Sequence, residues 1–429
     1  MPATEPSRTF LLLRGPSTAF WRQLGDGLRA AGHRVEKVHL ALSDALWWQR
    51  RGGVSYRGRF ADWHDWLAVH VRDRGVTDIL YYADRDPYHV VAKEVARELG
   101  LRSWAIENGY LRPDWLTLEP EGMGPFSQFP RDWPTIEALA ADAPPLDERH
   151  LYGHSFFAEA VREVPYTLAS IFGWPLYPHF MADRTYGVVA EYGTWLLEFT
   201  REGARARAAE ALQSRLVEEA TPFTLVAMQL QFDYQIRDCS PYDDLIEMVE
   251  EIVTSFAKAA PADHQLVFKL HPRDNVIERW PERIAAVAGA HGVATRVETI
   301  KGADLGVLAR HARGVIVANS TAGLFSVRAG RPTKTLAPAV YDLPGLTHQG
   351  PLDGFWTAPR APDPARVVQF CQALSVIQVK GEFVDPAGRA AGVAHMVERL
   401  SSAKAVQPYA VAAAVAADVA PVAPVAATG

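Results

Sequence analysis

Four short stretches bring together residue types that can handle phosphate and sugar. Lys269-Leu270-His271-Pro272-Arg273 ends a strand-like run, and its three cationic side chains make a compact site for a phosphate. Pro272 stops the strand and fixes the turn. A solvated basic loop has the same composition. Ala318-Asn319-Ser320-Thr321-Ala322-Gly323 follows the apolar run GVIVA. Ser320 or Thr321 can cap the next helix, whose unpaired N–H groups and dipole attract an anion. An ordinary strand-to-helix cap reads identically. Two phosphate-competent strand ends in one unit say more than either alone, and they predict a nucleotide phosphate held between His271 and the helix that starts at Ser320. Neither GxGxxG nor a Walker loop is present, so NAD and ATP sites of the usual kinds are not indicated.

The third stretch runs from Glu107-Asn108-Gly109-Tyr110-Leu111-Arg112 through Trp115 to Glu119. Glu107 ends a strand beside apolar Trp104 and Ile106, where a carboxylate can have a raised pKa and act as an acid or base. Gly109 permits a tight bend, and Arg112 can bind an anionic sugar. A loop whose charges satisfy its own backbone is the alternative. The fourth is Gln229-Leu230-Gln231-Phe232-Asp233-Tyr234-Gln235. Amides interleaved with a carboxylate suit a sugar site, and Asp233 is a candidate nucleophile or base. The bland version is a strand that ends in polar residues. Trp47-Trp48 and Trp63-His64-Asp65-Trp66 form an aromatic-rich patch that could stack on sugars or lie near lipid, although core packing is the commoner role. The lone histidines His33, His39 and His179 read as structural or surface residues.

The elements that position these residues alternate. Residues 9–13 (TFLLL), 35–40, 78–83 (DILYYA) and 101–106 (LRSWAI) read as strands. Apolar residues at helical spacing lie between them, notably Phe20, Leu24 and Leu28. Residues 109–145 read as an irregular segment over a site, and 147–211 as a helical region separating two domains. The alternation restarts with strands at 225–230, 265–270, 314–318 and 333–336 and helices between them. This rhythm predicts two Rossmann-like α/β domains, residues 8–210 and 211–400, with ligands at the carboxyl ends of the strands in a cleft between them. Residues 403–429, nearly all Ala, Val and Pro, read as a disordered tail.

The 429 residues carry a formal net charge of -6 with no long basic run, which argues against nucleic acid as a partner. Cys239 and Cys371 lie in no ligand-spaced pattern, so neither a disulfide framework nor a zinc site is supported. No metal site is expected, because Lys269, His271 and a helix terminus can take the place of a cation at the phosphate. The short polar N-terminus and the lack of a long apolar run predict a cytoplasmic protein that can still touch a membrane through its surface.

Taken in order, LLLRGPSTAFWRQLGDGLRAAGHRV, DWHDWL, ENGYLRPDWLTLE, QLQFDYQIRDCSPY, FKLHPRD and ANSTAGL resemble the capsule polysaccharide biosynthesis/export family of the KpsS/LipB type. The ENGYLRPDWLTLE block is the most specific, and the match covers residues 9–340. The resemblance implies a GT-B-like fold and a retaining β-Kdo transferase that uses CMP-Kdo and needs no other cofactor. It also implies a lipid-linked acceptor at the inner membrane surface and a place beside the capsule synthesis and export complex. In the family the HP motif and a Ser/Thr helix start hold the CMP, which maps onto His271, Pro272, Ser320 and Thr321; Lys269, Arg273, Asn319 and Gly323 beside them complete the expected nucleotide site. Asn108, Tyr110, Arg112, Gln231 and Gln235 fall to the sugar and acceptor. Asp233 is then the nucleophile and Glu107 the acid/base or acceptor-activating group, on the pattern of retaining glycosidases. The chain has Glu-Asn at 107–108 where an acidic pair is expected, which bears on position 108 and not on Glu107. Two alternatives stand beside this reading: a non-catalytic accessory protein of polysaccharide export, and a glycosyltransferase with another nucleotide-sugar donor.

Overall fold

The structure, a computed structural model, describes residues 7–141, 143–153, 156–183 and 186–402. The expected tail lies outside the described residues. The chain forms two units, residues 1–182 with 369–429, and residues 183–368.

The first unit begins β1 (Thr9–Leu12), α1 (Phe20–Ala30), β2 (Arg34–His39), α2 (Leu42–Trp48), β3 (Gly53–Ser55), α3 (Trp63–Arg74), β4 (Asp78–Tyr82) and α4 (Pro87–Glu98). It continues with β5 (Arg102–Asn108), β6 (Trp115–Pro120), α5 (Trp133–Ala141) and α6 (Phe156–Phe172). The second unit has α7 (Val188–Glu218), β7 (Phe223–Ala227), α8 (Tyr234–Arg237), α9 (Leu245–Ala259), β8 (Gln265–Leu270), α10 (Trp280–Ala290) and β9 (Val297–Lys301). It closes with α11 (Leu305–His311), β10 (Gly314–Val317), α12 (Thr321–Arg328), β11 (Thr333–Thr335) and α13 (Leu352–Phe355). Then α14 (Pro364–Ile377) leads to β12 (Gln378–Lys380) and α15 (Pro386–Leu400).

The first sheet has seven strands in the order β12-β6-β5-β4-β1-β2-β3, and the second has five in the order β11-β10-β7-β8-β9. Every pairing in the second sheet is parallel. Its three central strands, β10, β7 and β8, are largely apolar because helices cover both faces: β7 is buried at all five positions. These are two Rossmann-like α/β units, as the alternation of strands and helices predicts.

Three expectations need correction. Residues 109–145 are not all irregular, since β6 pairs antiparallel with β5, Glu107 opposite Thr117. The WLTLE run has the apolar alternation of a strand, and only the prolines around it hid this. The C-terminal segment does not stay with the second unit. β12 extends the first sheet, with Val379 opposite Leu116. Met396 and Leu400 of α15 are fully buried in one cluster with Phe20, Leu24 and Leu28 of α1, which stabilises by roughly 1.5–3 kcal/mol per large side chain. Finally, α7 belongs to the second unit: Lys301 Nζ donates to Glu198 at 2.6 Å, and Ala209 and Leu216 pack with Leu225, Ile300 and Leu308.

The aromatic patch is largely core. Trp48 and Trp63 are buried, Trp63 stacks on Trp66 with ring centroids 5.5 Å apart, and its indole N–H donates to the Tyr88 carbonyl at 3.0 Å. Both cysteine thiols are buried and unlinked.

Candidate functional site

In the second unit β8 and β9 are added on one side of β7, and β10 and β11 on the other. The sheet's switch point therefore lies between β7 and β10, where open parallel sheets place their ligands. The loops after β7, β8 and β10 are neighbours at this end, so residues 229–235, 271–273 and 319–323 share it.

Two buried amides fill the switch point. Gln229 Nε2 donates to Asn319 Oδ1 at 3.0 Å, and the Asn319 backbone N–H donates to Gln229 Oε1 at 3.3 Å. Asn319 Nδ2 also donates to the carbonyls of Gln235 (2.9 Å) and Cys239 (3.2 Å). Both amide hydrogens of Asn319 are thus spent on the loop after β7. Asn319 positions that loop, a role its sequence neighbourhood did not suggest. The loop carries Asp233, which caps α8 by accepting from the Gln235 N–H at 2.9 Å. Gln231 faces the start of α9: its Oε1 accepts from the Leu245 N–H at 2.8 Å, and its Nε2 donates to the Asp243 carbonyl at 3.3 Å.

Across β7, His271 Nδ1 accepts from the Arg273 N–H at 3.1 Å. That bond places the proton of the neutral ring on Nε2, a donor suited to a phosphate oxygen. Pro272 is exposed, and Asp274, whose backbone N–H closes the turn on the His271 carbonyl at 2.9 Å, is buried. Burial raises the pKa of Asp274. Lys269 is buried inside β8, and burial lowers its ammonium pKa, partly offset by Asp304. On the other flank Ser320 Oγ caps α12 by accepting from the Ala322 N–H at 3.2 Å, and Thr321 is the first helical residue. Gly323 is there for close packing: a Cβ on it would lie 2.2 Å from the Tyr341 hydroxyl, which donates to the Ser320 carbonyl.

In the first unit Glu107 is held backbone-to-side-chain by Thr117. Its N–H donates to Thr117 Oγ1 at 2.9 Å, and that hydroxyl donates back to the Glu107 carbonyl at 3.2 Å. Tyr82, at the end of β4, lies beside it. Burial drives the Tyr82 phenol pKa upward, the Glu107 charge adds to this, and Arg112 opposes it. Tyr82, Glu107 and Arg112 therefore share one environment. Arg112 is otherwise exposed and donates from Nε to the Gly109 carbonyl at 3.1 Å. Gly109 serves a close approach, since a Cβ would meet the Trp115 backbone at 2.7 Å. Asn108, the last residue of β5, pairs with Leu116.

Tyr110 turns inward. Its hydroxyl accepts from the Gly124 N–H at 2.8 Å and lies against Glu119. Glu119, fully buried, accepts from the Ser127 hydroxyl. Burial pushes its pKa up to about 7. Glu119, a perturbed carboxylate of this block, looks like an ordinary strand residue in the sequence.

The first sheet has its own switch point, between β1 and β4. Arg14 lies there, 3.7 Å from Asp44 and 3.4 Å from Asp86, with its guanidinium 5.0 Å from the Phe180 ring. Lys37 Nζ donates to the carbonyls of Leu13 (2.8 Å) and Val38 (2.7 Å), and burial lowers its pKa to about 8. Lys37, Asp44, Trp47 and Tyr166 line a small cavity. Lys37 lies in β2, RVEKVH, among other polar residues, so nothing in the sequence singled it out for this cluster. Among the described residues no group of three or more His, Cys, Asp or Glu side chains converges as a metal site.

The model of the capsule polysaccharide biosynthesis protein family matches residues 77–384, over half of the chain. The chain belongs to that family. The match takes in the Glu107 hairpin and all three loops around the second switch point. The capsule polysaccharide export protein KpsS of Escherichia coli is 28% identical over 361 residues, 83% of this chain and 91% of that protein. The capsule polysaccharide modification protein LipB of Neisseria meningitidis serogroup B is 27% identical over 390 residues, 88% and 92% of the two chains. Among solved structures, the KpsC β-Kdo 2,7 transferase of Thermosulfurimonas dismutans is similar with a TM-score of 0.42 at 12% identity, covering 91% of this chain and 99% of that one. Family membership rests on the sequence match alone.

Proposed function

We propose that this family member is a cytoplasmic glycosyltransferase of capsule synthesis, a retaining β-Kdo transferase that uses CMP-Kdo and a lipid-linked acceptor at the inner membrane. The observation that carries the proposal is the carboxyl end of the second sheet. There an imidazole Nε2–H and a Ser-capped helix start flank a loop that holds a carboxylate. His271, Arg273 and the N–H groups at Ser320 and Thr321 bind the phosphate of the donor. Asp233 attacks the anomeric carbon, and the bond to the nucleotide phosphate breaks with its electron pair leaving on CMP. An acceptor hydroxyl then displaces Asp233, which leaves as a carboxylate, while the hydroxyl proton passes to Glu107; Glu107 is left protonated and returns the proton to water, and the two displacements retain the configuration. Arg112 beside Glu107 offers a cation to an anionic acceptor.

Calorimetric titration with CMP, UDP and GDP tests the donor assignment. CMP-selective binding that is lost in His271→Ala is expected. Preference for UDP or GDP, or undiminished CMP binding by His271→Ala, refutes it. One observation favours a non-catalytic accessory role: Asp233 already serves as a helix cap. Asn also caps helices well, so Asp233→Asn separates the two. Lost sugar transfer with an unchanged melting temperature supports the nucleophile, and intact capsule display supports the accessory reading.

A further inference from the structure

The largest exposed apolar side chains of the first unit cluster at the end of α6 and the turn after it. Phe172 is 72% exposed, Trp174 68%, Leu176 49% and Met181 39%. Soluble proteins rarely leave such a run uncovered without a partner. The turn is not loose. Tyr177 hydroxyl bonds Ser55 Oγ at 2.8 Å, Ser170 Oγ bonds Ser43 Oγ at 2.7 Å, and Gly173 is pressed against Leu42. The turn is thereby fixed to α2 and β3. α2 adds Leu46, 48% exposed.

The same contacts place an arginine-rich stretch at the edge of this patch. Residues 46–61 contain Arg50, Arg51, Arg57 and Arg59 and no acidic residue, in a chain of net charge -6. All four are exposed. Arg50 is paired with Asp26 at 2.7 Å, while the Arg57 guanidinium lies 5.7 Å from the Tyr177 ring. The acids nearest in sequence on α6 are Glu159 and Glu163, more than two turns before Phe172.

A projecting turn of Trp, Phe and Leu with arginines beside it has the composition of a surface that inserts at a bilayer interface and reads its negative charge. We propose that Phe172, Trp174 and Leu176, with Arg51, Arg57 and Arg59, form the face by which the protein docks on an anionic membrane. Trp47, Trp48, Trp63 and Trp66 take no part. The inference gives the lipid-linked acceptor of the proposed function a place to be met, and it stands independently of the donor.

Flotation with phosphatidylglycerol-rich vesicles and with pure phosphatidylcholine vesicles tests it. The full chain is expected to float with the anionic vesicles only, and less as salt rises. Phe172→Ser/Trp174→Ser is expected to bind about tenfold more weakly or worse with an unchanged melting temperature. Arg51→Glu/Arg57→Glu is expected to lose a similar factor together with the salt dependence. Val69→Ser, at another exposed apolar position on α3 (55% exposed), should float like the parent. Failure of the parent to float, equal losses in Val69→Ser, or normal flotation of the turn variant overturns the proposal. Normal flotation with lost capsule display would point to a protein partner instead. CMP titration of the turn variant keeps the two readings apart: failure of the parent to bind CMP leaves the flotation result intact.

Discussion

Replacing Glu119 by Gln should make the protein more stable at pH 8 and change little at pH 5. Glu119 is wholly buried, and its pKa rises from 4.5 to about 7, chiefly through burial, with the nearby Asp84 charge adding to the rise while bonds to Ser127 and Tyr110 oppose it. Below pH 4.5 the folded and unfolded chains both hold the proton. Between 4.5 and about 7 the unfolded chain releases it and the folded chain keeps it, so stability falls as pH rises through that window. A rise from 4.5 to about 7 corresponds to roughly 3 kcal/mol, lost in full above pH 7. Gln keeps the shape and can still bond Ser127 without an ionisation to oppose. Urea unfolding of both proteins at pH 5 and pH 8 measures the difference, with tryptophan fluorescence reporting the first unit, where most of the indoles lie. The Gln variant should gain up to about 3 kcal/mol relative to the parent between the two pH values. An advantage equal at both pH values, or larger at pH 5, refutes the assignment of a neutral Glu119 in the folded state.

Asn319→Ala removes a buried amide that satisfies the carbonyls of Gln235 and Cys239 and the Gln229 side chain, so a loss of about 2–4 kcal/mol is expected by chemical denaturation. A double-mutant cycle with Gln229→Ala should show coupling of about 0.5–3 kcal/mol, and strict additivity would remove Asn319 from its positioning role. Gly323→Ala puts a methyl against the Tyr341 hydroxyl and should destabilise by about 1–3 kcal/mol. Adding Tyr341→Phe should return part of that loss, and no rescue would mean that the helix backbone sets the constraint.

Much of the fold was legible because central parallel strands are short, apolar runs with turn signals after them. QLVFKL, GVIVA, DILYYA and LRSWAI all became strands at those positions. The pairing of β12 with β6 was not legible, because Gln378 and Thr117 are partners across 260 residues of chain and nothing local selects a sheet edge. The candidate site was legible as loops and not as roles. Asn319 sat in the expected motif, yet the acceptors that define its work lie 80 and more residues away. Glu119 was hidden for the same reason: its side-chain partners, Tyr110 and Ser127, lie outside its own strand. Nothing in the sequence marks Phe172 and Trp174 as exposed, since composition cannot say which apolar side chains a fold leaves outside.

The two switch points differ in a way that bears on which unit takes the donor. In the first unit Arg14 and Lys37 face Asp44 and Asp86, two cations against two anions. Their charges are spent on one another and on the Leu13 and Val38 carbonyls. An incoming phosphate would have to displace Asp44, which the N–H groups of Leu40 and Ala41 and the Tyr166 hydroxyl all hold. In the second unit the crevice is closed by neutral amides, Gln229 and Asn319, which impose no charge of their own. What surrounds them is donor-rich: the His271 ring, the Arg273 side chain and the start of α12. The backbone N–H groups at the start of α12 add a fixed partial positive charge there. On the proposed reading the amide-pinned switch point takes the nucleotide phosphate, while the ion pairs at the switch point of the first unit hold its own loops together.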